Sequence, residues 1–525
     1  MENDPVTIIM ASWHNGTHSA HYCIIRDKLP EVPCLLETKG DRYMALLDNI
    51  KKEQNYTLTE NGALALNSTS DNLVNLFAIS GAMRERSDDE IEMMFAKAMA
   101  EDRLTATKLA LYTRDVRGGL GERKTGRVML KYLAANYPDI FAKNVAYIPE
   151  YGRWDDLVYL LEDAPEPIIP LLKKQLDEDI QNRKEGKPIS LLTKWLPSVN
   201  TSNKETVRKG RYLAKAFGMS EKEYRKTLSL LRDYLNVVEV NMSANRFEDI
   251  VYPEVPSKAM NNYRNAFRRH DEERFSEFLN RVEKGEEKIN SSVLYPYDIV
   301  EKYLYQSKGA DQVLEEQWKA LPNYVEGENN FLVMADVSGS MSGRPMATSV
   351  GLAMYFAERN KGPFANTFMT FSARPELVTI KGNTLIERIR YIMNAHWDMN
   401  TDLESAFNLL LYTAVKYKTP AEQMPDSIVV ITDMEIDSCT SGDWLFYDQM
   451  KQRFEANGYS IPNVVFWNVN SRNNTYHASF DRKGVQLASG QSVTVFESLV
   501  KGMNLTPYEY MLSVLNNERY DRITI

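Results

Sequence analysis

The clearest chemistry in this sequence lies in Asp336-Val337-Ser338-Gly339-Ser340, where one acid and two hydroxyls alternate with small residues directly after the apolar run Phe331–Ala335. Two later segments extend the set. Thr401 precedes the helical pattern Leu403–Val415, and Asp433 closes the apolar run Ser427–Thr432. Three loops thus supply two carboxylates and three hydroxyls, all hard oxygen donors. That set suits six-coordinate Mg²⁺ or Mn²⁺, with waters or a partner's carboxylate completing the shell. Thr401 and Asp433 can act through water. The competing reading is that these are polar loops capping helices, since Ser340 and Thr401 are both good N-cap residues.

A second constellation is basic. Residues 181–232 hold 13 Lys/Arg against 4 Asp/Glu, a local excess of 13 − 4 = +9 in a chain of net charge −9. Within it Lys204, Arg208 and Arg211 fall at i, i+4 and i+7, one side of a helix. Just upstream, Lys194 and Trp195 open the stretch KWLPSVNTS. A basic face beside hydroxyls and an aromatic suits an RNA backbone and a stacked base. The alternative is a solvated helix face with an aromatic anchor at its start. Earlier, Arg114, Arg117 and Arg123 surround Gly118, Gly119 and Gly121. Glycine amides with arginines can cradle phosphate, although the spacing is not that of a P-loop. The alternative there is a helix–helix corner whose arginines pair Asp115 and Glu122.

Catalytic chemistry is poorly supported. A Ser/Thr/Asp set without a neighbouring base offers little proton transfer, and His396, five residues before Thr401, is the nearest histidine to the set. His14, His18, His21 and Cys23 crowd one segment, at spacings that match no standard zinc pattern and that alternating strand faces would separate.

The elements that must position these residues fall into three blocks. Residues 1–56 read as a β-rich segment, with Val6–Trp13 and His18–Arg26 flanking the hairpin signal His14-Asn15-Gly16-Thr17. Residues 57–325 are helical by periodicity: helices of ten to sixteen residues with short loops, as in a HEAT-like repeat domain, though without a strict sequence period. Residues 329–525 alternate strand and helix. Strands are expected at Phe331–Ala335, Thr367–Phe371, Ser427–Thr432, Asn463–Asn468 and Val493–Phe496. This pattern implies an α/β doubly wound parallel sheet.

The set Asp336, Ser338, Ser340, Thr401 and Asp433 resembles the metal-ion-dependent adhesion site of von Willebrand factor A domains, over about residues 329–520. The resemblance implies that these five residues hold Mg²⁺ and that the metal captures a ligand acid without catalysis. The helical block placed before such a domain resembles Ro ribonucleoproteins, which pair a ring of helical repeats, the TROVE module, with an A domain. The runs RDVRGGLGER, YGRWDD, KWLPS and VPSKAM resemble a widespread Ro-like family that carries a domain-of-unknown-function label. Ro proteins bind small non-coding RNAs and the ends of misfolded RNAs.

Bulk composition narrows the rest. No run approaches the eighteen apolar residues of a membrane span, and the start MENDPVTIIMASW lacks the basic region of a secretory signal. Three separated cysteines, Cys23, Cys34 and Cys439, make no disulfide framework and fit a reducing, cytoplasmic setting. The expectation is a non-enzymatic RNA-binding scaffold that uses Mg²⁺ or Mn²⁺ for a protein contact. The alternatives are a metal-dependent protein-interaction module without nucleic acid and, last, a metal-dependent nuclease.

Overall fold

The computed structural model describes residues 50, 54–306, 309–325, 330–370, 374–395, 401–438 and 445–525. The hairpin expected around His14–Thr17, the three cysteines and His396 lie outside them. The first strands described are β1 (Tyr56–Leu58) and β2 (Leu64–Leu66), an antiparallel pair joined through Thr59–Ala63. Gly62 takes φ +86° in that turn, a conformation that costs glycine nothing.

Helices follow from Asn72–Ile79 to Gln312–Lys319. Their starts are encoded locally. Ser87 and Glu90 form a reciprocal capping box for Asp88–Glu101, and Ser220 with Glu223 does the same for Glu221–Tyr234. Helices Arg103–Arg114 and Arg123–Asn136 pack on each other, and most others pack on sequence neighbours. Toward the end of the block, Phe247, Tyr252, Phe267, Phe275 and Phe278 build a second, smaller core.

The six-stranded sheet comprises β3 (Phe331–Ala335), β4 (Thr367–Thr370), β5 (Leu377–Thr379), β6 (Ser427–Thr432), β7 (Asn463–Asn468) and β8 (Val485–Ser489). Spatial order is β5-β4-β3-β6-β7-β8, parallel throughout except β5, which runs antiparallel at one edge. The all-parallel expectation is corrected there. Every residue of β3, β4, β6 and β8 is buried, as a sheet covered on both faces requires. The strand expected at Val493–Phe496 is a second correction. Val493–Val495 is a 3₁₀ turn started by the Ser492 hydroxyl, and Phe496 opens a helix. Its apolar side chains bury against Phe331 and Phe356 without joining the ladder. The sixth strand is instead β8, whose buried Gln486 disguises it; the Gln486 amide donates to the carbonyls of Gly502 and Leu505.

Residues 55–525 form one compact unit, and the main hydrophobic core runs from the first helices into the sheet. Helix Asn72–Ile79 packs on β8, and Pro296–Tyr305 packs on Arg344–Arg359. At that second seam Gly351 lets the backbone of Pro296 and Tyr297 come close; a Cβ there would sit 3.1 Å from each. Residues 519–525 return to the helical block. Tyr520 donates to Asp115 at 3.0 Å, and Arg519 grips both oxygens of the same buried carboxylate. Arg522 pairs with Glu150 at 2.7 Å, and Asn144 donates to the Thr524 carbonyl at 2.7 Å. Among the described residues, no helix is long and apolar enough to cross a membrane.

Candidate functional site

The sheet order reverses between β3 and β6, because the chain moves outward from β3 through β4 and β5 and then returns to build β6, β7 and β8 on the other side. Ligands of open α/β sheets bind at the carboxyl ends of the strands flanking such a switch. Asp336 follows β3 and Asp433 follows β6, and these two strands pair directly, Ala335 opposite Ile431. Both acids are buried. Asp336 is held by two donors: the Ser338 amide at 2.8 Å and the Thr432 hydroxyl at 2.7 Å. Burial, and next the negative charge of Asp433, push the Asp336 carboxyl up to about 6. The hydroxyls of Ser338 and Ser340 lie 3.0 Å apart. A buried acid raised by an adjacent acid, beside two hydroxyls, is a donor set that a hard divalent cation would relieve. Asp336, Ser338, Ser340 and Asp433 therefore fit Mg²⁺ or Mn²⁺.

Thr401 is brought to the same edge but is tied elsewhere. Its hydroxyl lies 2.9 Å from both the Glu435 carbonyl and the Asp437 carboxylate, and it accepts from Asn61 Nδ2 at 2.9 Å. Among the described residues, no group of three or more His, Cys, Asp or Glu is arranged to hold a metal ion. The candidate set contains two acids and is completed by hydroxyls.

Sequence reasoning missed what surrounds this set. Arg472 Nη2 lies 3.0 Å from Asp433 Oδ2 and 3.1 Å from Glu60 Oε2. The Glu60 amide donates to Glu435 at 2.6 Å, and Asn473 donates to both Glu60 and Glu435 at 3.1 Å. Thr59 donates to the Ile436 carbonyl at 2.6 Å. The turn between β1 and β2 is thus fastened across the loop after β6. The alternation Asp433, Glu435, Asp437 was a visible signal for an acidic edge; nothing local pointed to Arg472 or to Glu60. Met434, between two of those acids, takes φ +73°. That conformation is strained for a non-glycine residue and holds only where its surroundings enforce it.

The basic residues divide. Arg114 is buried and bonded to Asp156 at 2.9 Å, so it faces the interior and has no surface to offer a nucleic acid. Arg123 pairs with Asp155, and Arg117 donates to the Glu150 carbonyl. The glycines between them permit close approach of protein. A Cβ on Gly118 would meet Arg519, one on Gly119 the Tyr112 carbonyl, and one on Gly121 the Tyr295 hydroxyl. This loop is a structural corner wrapped around Asp115. Lys194 and Trp195 are half-buried, Lys194 3.7 Å from Glu239 and Trp195 beneath the Arg153 guanidinium. Arg232 locks that stretch through the Thr193 and Leu196 carbonyls and the Ser198 hydroxyl.

The helix Lys204–Ala216 behaves otherwise. Its inner side presents Gly210, Leu213 and Ala214, while Lys204, Arg208, Arg211 and also Lys215 stay exposed. Tyr212 is exposed beside them. Arg208 and Arg211 reach Glu162 and Glu221 at 2.6 and 3.1 Å, exposed pairs that contribute little and exchange readily. Nearby, an open groove of about 740 Å³ is lined by Ser198, Asn200, Arg225, Lys226, Leu230 and Arg232, among others.

Two family models match the chain, both described as domains of unknown function: DUF2828 over residues 59–166 and 201–329, and DUF7788 over residues 330–519. An uncharacterized protein of Acanthamoeba polyphaga mimivirus is 29% identical over 502 residues, covering 88% of this chain and 87% of that protein. Among solved structures, the Ro (RSR) protein of Deinococcus radiodurans aligns with a TM-score of 0.45 at 14% identity, over 85% of this chain and 99% of that one.

Proposed function

We propose that the protein is a non-enzymatic RNA-binding scaffold. The helical block contacts RNA through the outer face of Lys204–Ala216 and the groove beside it. The observation that carries this reading is the exposed row Lys204, Arg208, Arg211 and Lys215, with Tyr212 alongside and Arg225 and Lys226 in the adjoining groove. Cations at this spacing can track a phosphate backbone while an exposed ring stacks a base. Of the residues singled out in the sequence, Lys204, Arg208 and Arg211 keep this role, and Arg114 leaves it.

The sheet edge has a separate task. Asp336, Ser338, Ser340 and Asp433 would hold Mg²⁺ or Mn²⁺, and Thr401 would join only through water or after leaving Asn61. A cation bound there supplies an electrophilic position to which an acidic group of a protein partner can bind. The chain's own residues fix Asp336 through the Thr432 hydroxyl and the Ser338 amide, and Asp433 through Arg472. The site is built to hold.

Fluorescence anisotropy with single-stranded and stem-loop RNA tests the first part. Affinity should fall steeply between 50 and 200 mM salt, with a log–log slope of roughly −0.7 per phosphate contact for single strands. Changing Lys204, Arg208 and Arg211 together to Glu should abolish binding; an unchanged affinity overturns the reading. Titration calorimetry with Mg²⁺ tests the second part, with binding expected in the wild type and lost in Asp336→Ala. Absence of RNA binding, with a protein partner lost in Asp336→Ala, would favour an interaction module without nucleic acid.

A further inference from the structure

The β1–β2 turn and the candidate metal residues share one cation. A single nitrogen of Arg472 lies between Asp433 and Glu60, 3.0 and 3.1 Å from the two carboxylates. Asp433 is fully buried and depends on this contact, because among the described residues its other oxygen receives only the Glu435 amide at 3.3 Å. Glu60 is half-exposed and held by Arg472 and Asn473. Arg472 is imperfectly housed, since its Nε is buried with no hydrogen-bond partner among the described residues. A buried donor without a partner is costly, and a guanidinium kept there in spite of that cost answers a demand from its neighbours. The demand is visible: Asp433, Glu435 and Glu60 belong to one network, and Arg472 is the cation that bonds two of them directly.

We infer that Arg472 is a built-in counter-cation that competes with a divalent ion for Asp433, so that metal loading and docking of the β1–β2 turn oppose each other. The inference rests on the metal reading of the sheet edge. With no divalent ion, Arg472 ties Asp433 to Glu60 and clamps the turn. A divalent ion that draws Asp433 into its shell faces a guanidinium at the same oxygen. Like charges that close repel, so the guanidinium must shift toward Glu60 and solvent. The turn then loses its link to Asp433 and keeps its bonds to the rest of the edge: Glu60 amide to Glu435, Asn61 to Thr401 and Thr59 to Ile436. In a cell, the clamp would set the cation concentration at which the edge becomes open to a partner's acid.

The test uses the full chain and Mn²⁺ alone as probe. Mn²⁺ affinity is measured by electron paramagnetic resonance for the wild type, Arg472→Gln, Arg472→Lys and Asp336→Asn. Amide hydrogen exchange of residues 56–66 is followed with and without Mn²⁺. Arg472→Gln should bind Mn²⁺ at least five-fold more tightly, Arg472→Lys should return toward the wild-type value, and exchange at 56–66 in the wild type should rise with Mn²⁺. In Arg472→Gln that exchange should start high and no longer respond. Equal or weaker binding by Arg472→Gln overturns the inference, as does tighter binding with no change of exchange in the wild type, which would leave Arg472 a distant charge only. Mn²⁺ binding lost in Asp336→Asn shows that the metal reading stands when the inference on Arg472 fails. No binding by the wild type or by Arg472→Gln overturns the metal reading and this inference with it.

Discussion

His477 is kept neutral in the interior. Its Nε2 donates to the Met434 carbonyl at 3.1 Å, its Nδ1 has no partner among the described residues, and its ring lies against Phe466. Burial pushes its pKa down to about 4 from 6.5, against the smaller upward pull of the Met434 carbonyl. The fold therefore binds fewer protons than the unfolded chain between these values. Stability is fully present above about pH 6.5 and is lost as pH falls toward 4, by on the order of 3 kcal/mol from this residue. Chemical denaturation at several pH values should show that loss, and His477→Gln should flatten it between pH 4 and 6.5. Residues of this kind were not legible in the sequence, because burial depends on neighbours far along the chain. The placement of Asp336, Ser338 and Ser340 after β3 and of Asp433 after β6 was legible because each sits at a fixed place relative to its own strand. Arg114 was misread because its partner, Asp156, lies 42 residues away.

At the level of elements, apolar runs with buried neighbours on both sides announced β3, β6 and β7, and helical periodicity announced the block before them. What escaped were elements defined by their surroundings. β5 has three residues with one buried side chain, too little pattern to see. β8 carries a buried glutamine, Gln486, that interrupts its apolar run. The packing of helix Pro296–Tyr305 on Arg344–Arg359 was equally hidden, although Gly351 is the residue that permits it. Gly351→Ala should force the Pro296–Tyr297 backbone outward by a few tenths of an ångström and destabilise the protein by about 1–3 kcal/mol. Urea unfolding would report this as a lower midpoint; a neutral result would mean that the seam has slack.

For the molecule as a whole, the helical and α/β parts share a core, so neither is a passive appendage of the other. The sequence suggested two blocks joined near residues 322–330, because composition changes there; contacts between blocks leave no mark on local composition. One such contact is the return of residues 519–522 to Asp115 and Glu150. Removing Arg519 leaves the buried Asp115 with the Tyr520 hydroxyl as its remaining long-range donor. Arg519→Ala should cost about 3 kcal/mol, and deleting residues 519–525 should cost more. Differential scanning fluorimetry should record both losses. Limited proteolysis should find new cuts between residues 115 and 151, a region distant in sequence from the deletion. The same return has a meaning for how the chain is made. Asp115 and Arg519 stand 404 residues apart. At the ribosome's pace of about 5–20 residues per second, roughly 20–80 s separate their synthesis. Over that interval Asp115, at the end of helix Arg103–Arg114, keeps the amides of Arg117 and Gly118 but lacks its guanidinium. The helices around Asp115 thus mature late, only once residues 519–522 are free of the exit tunnel.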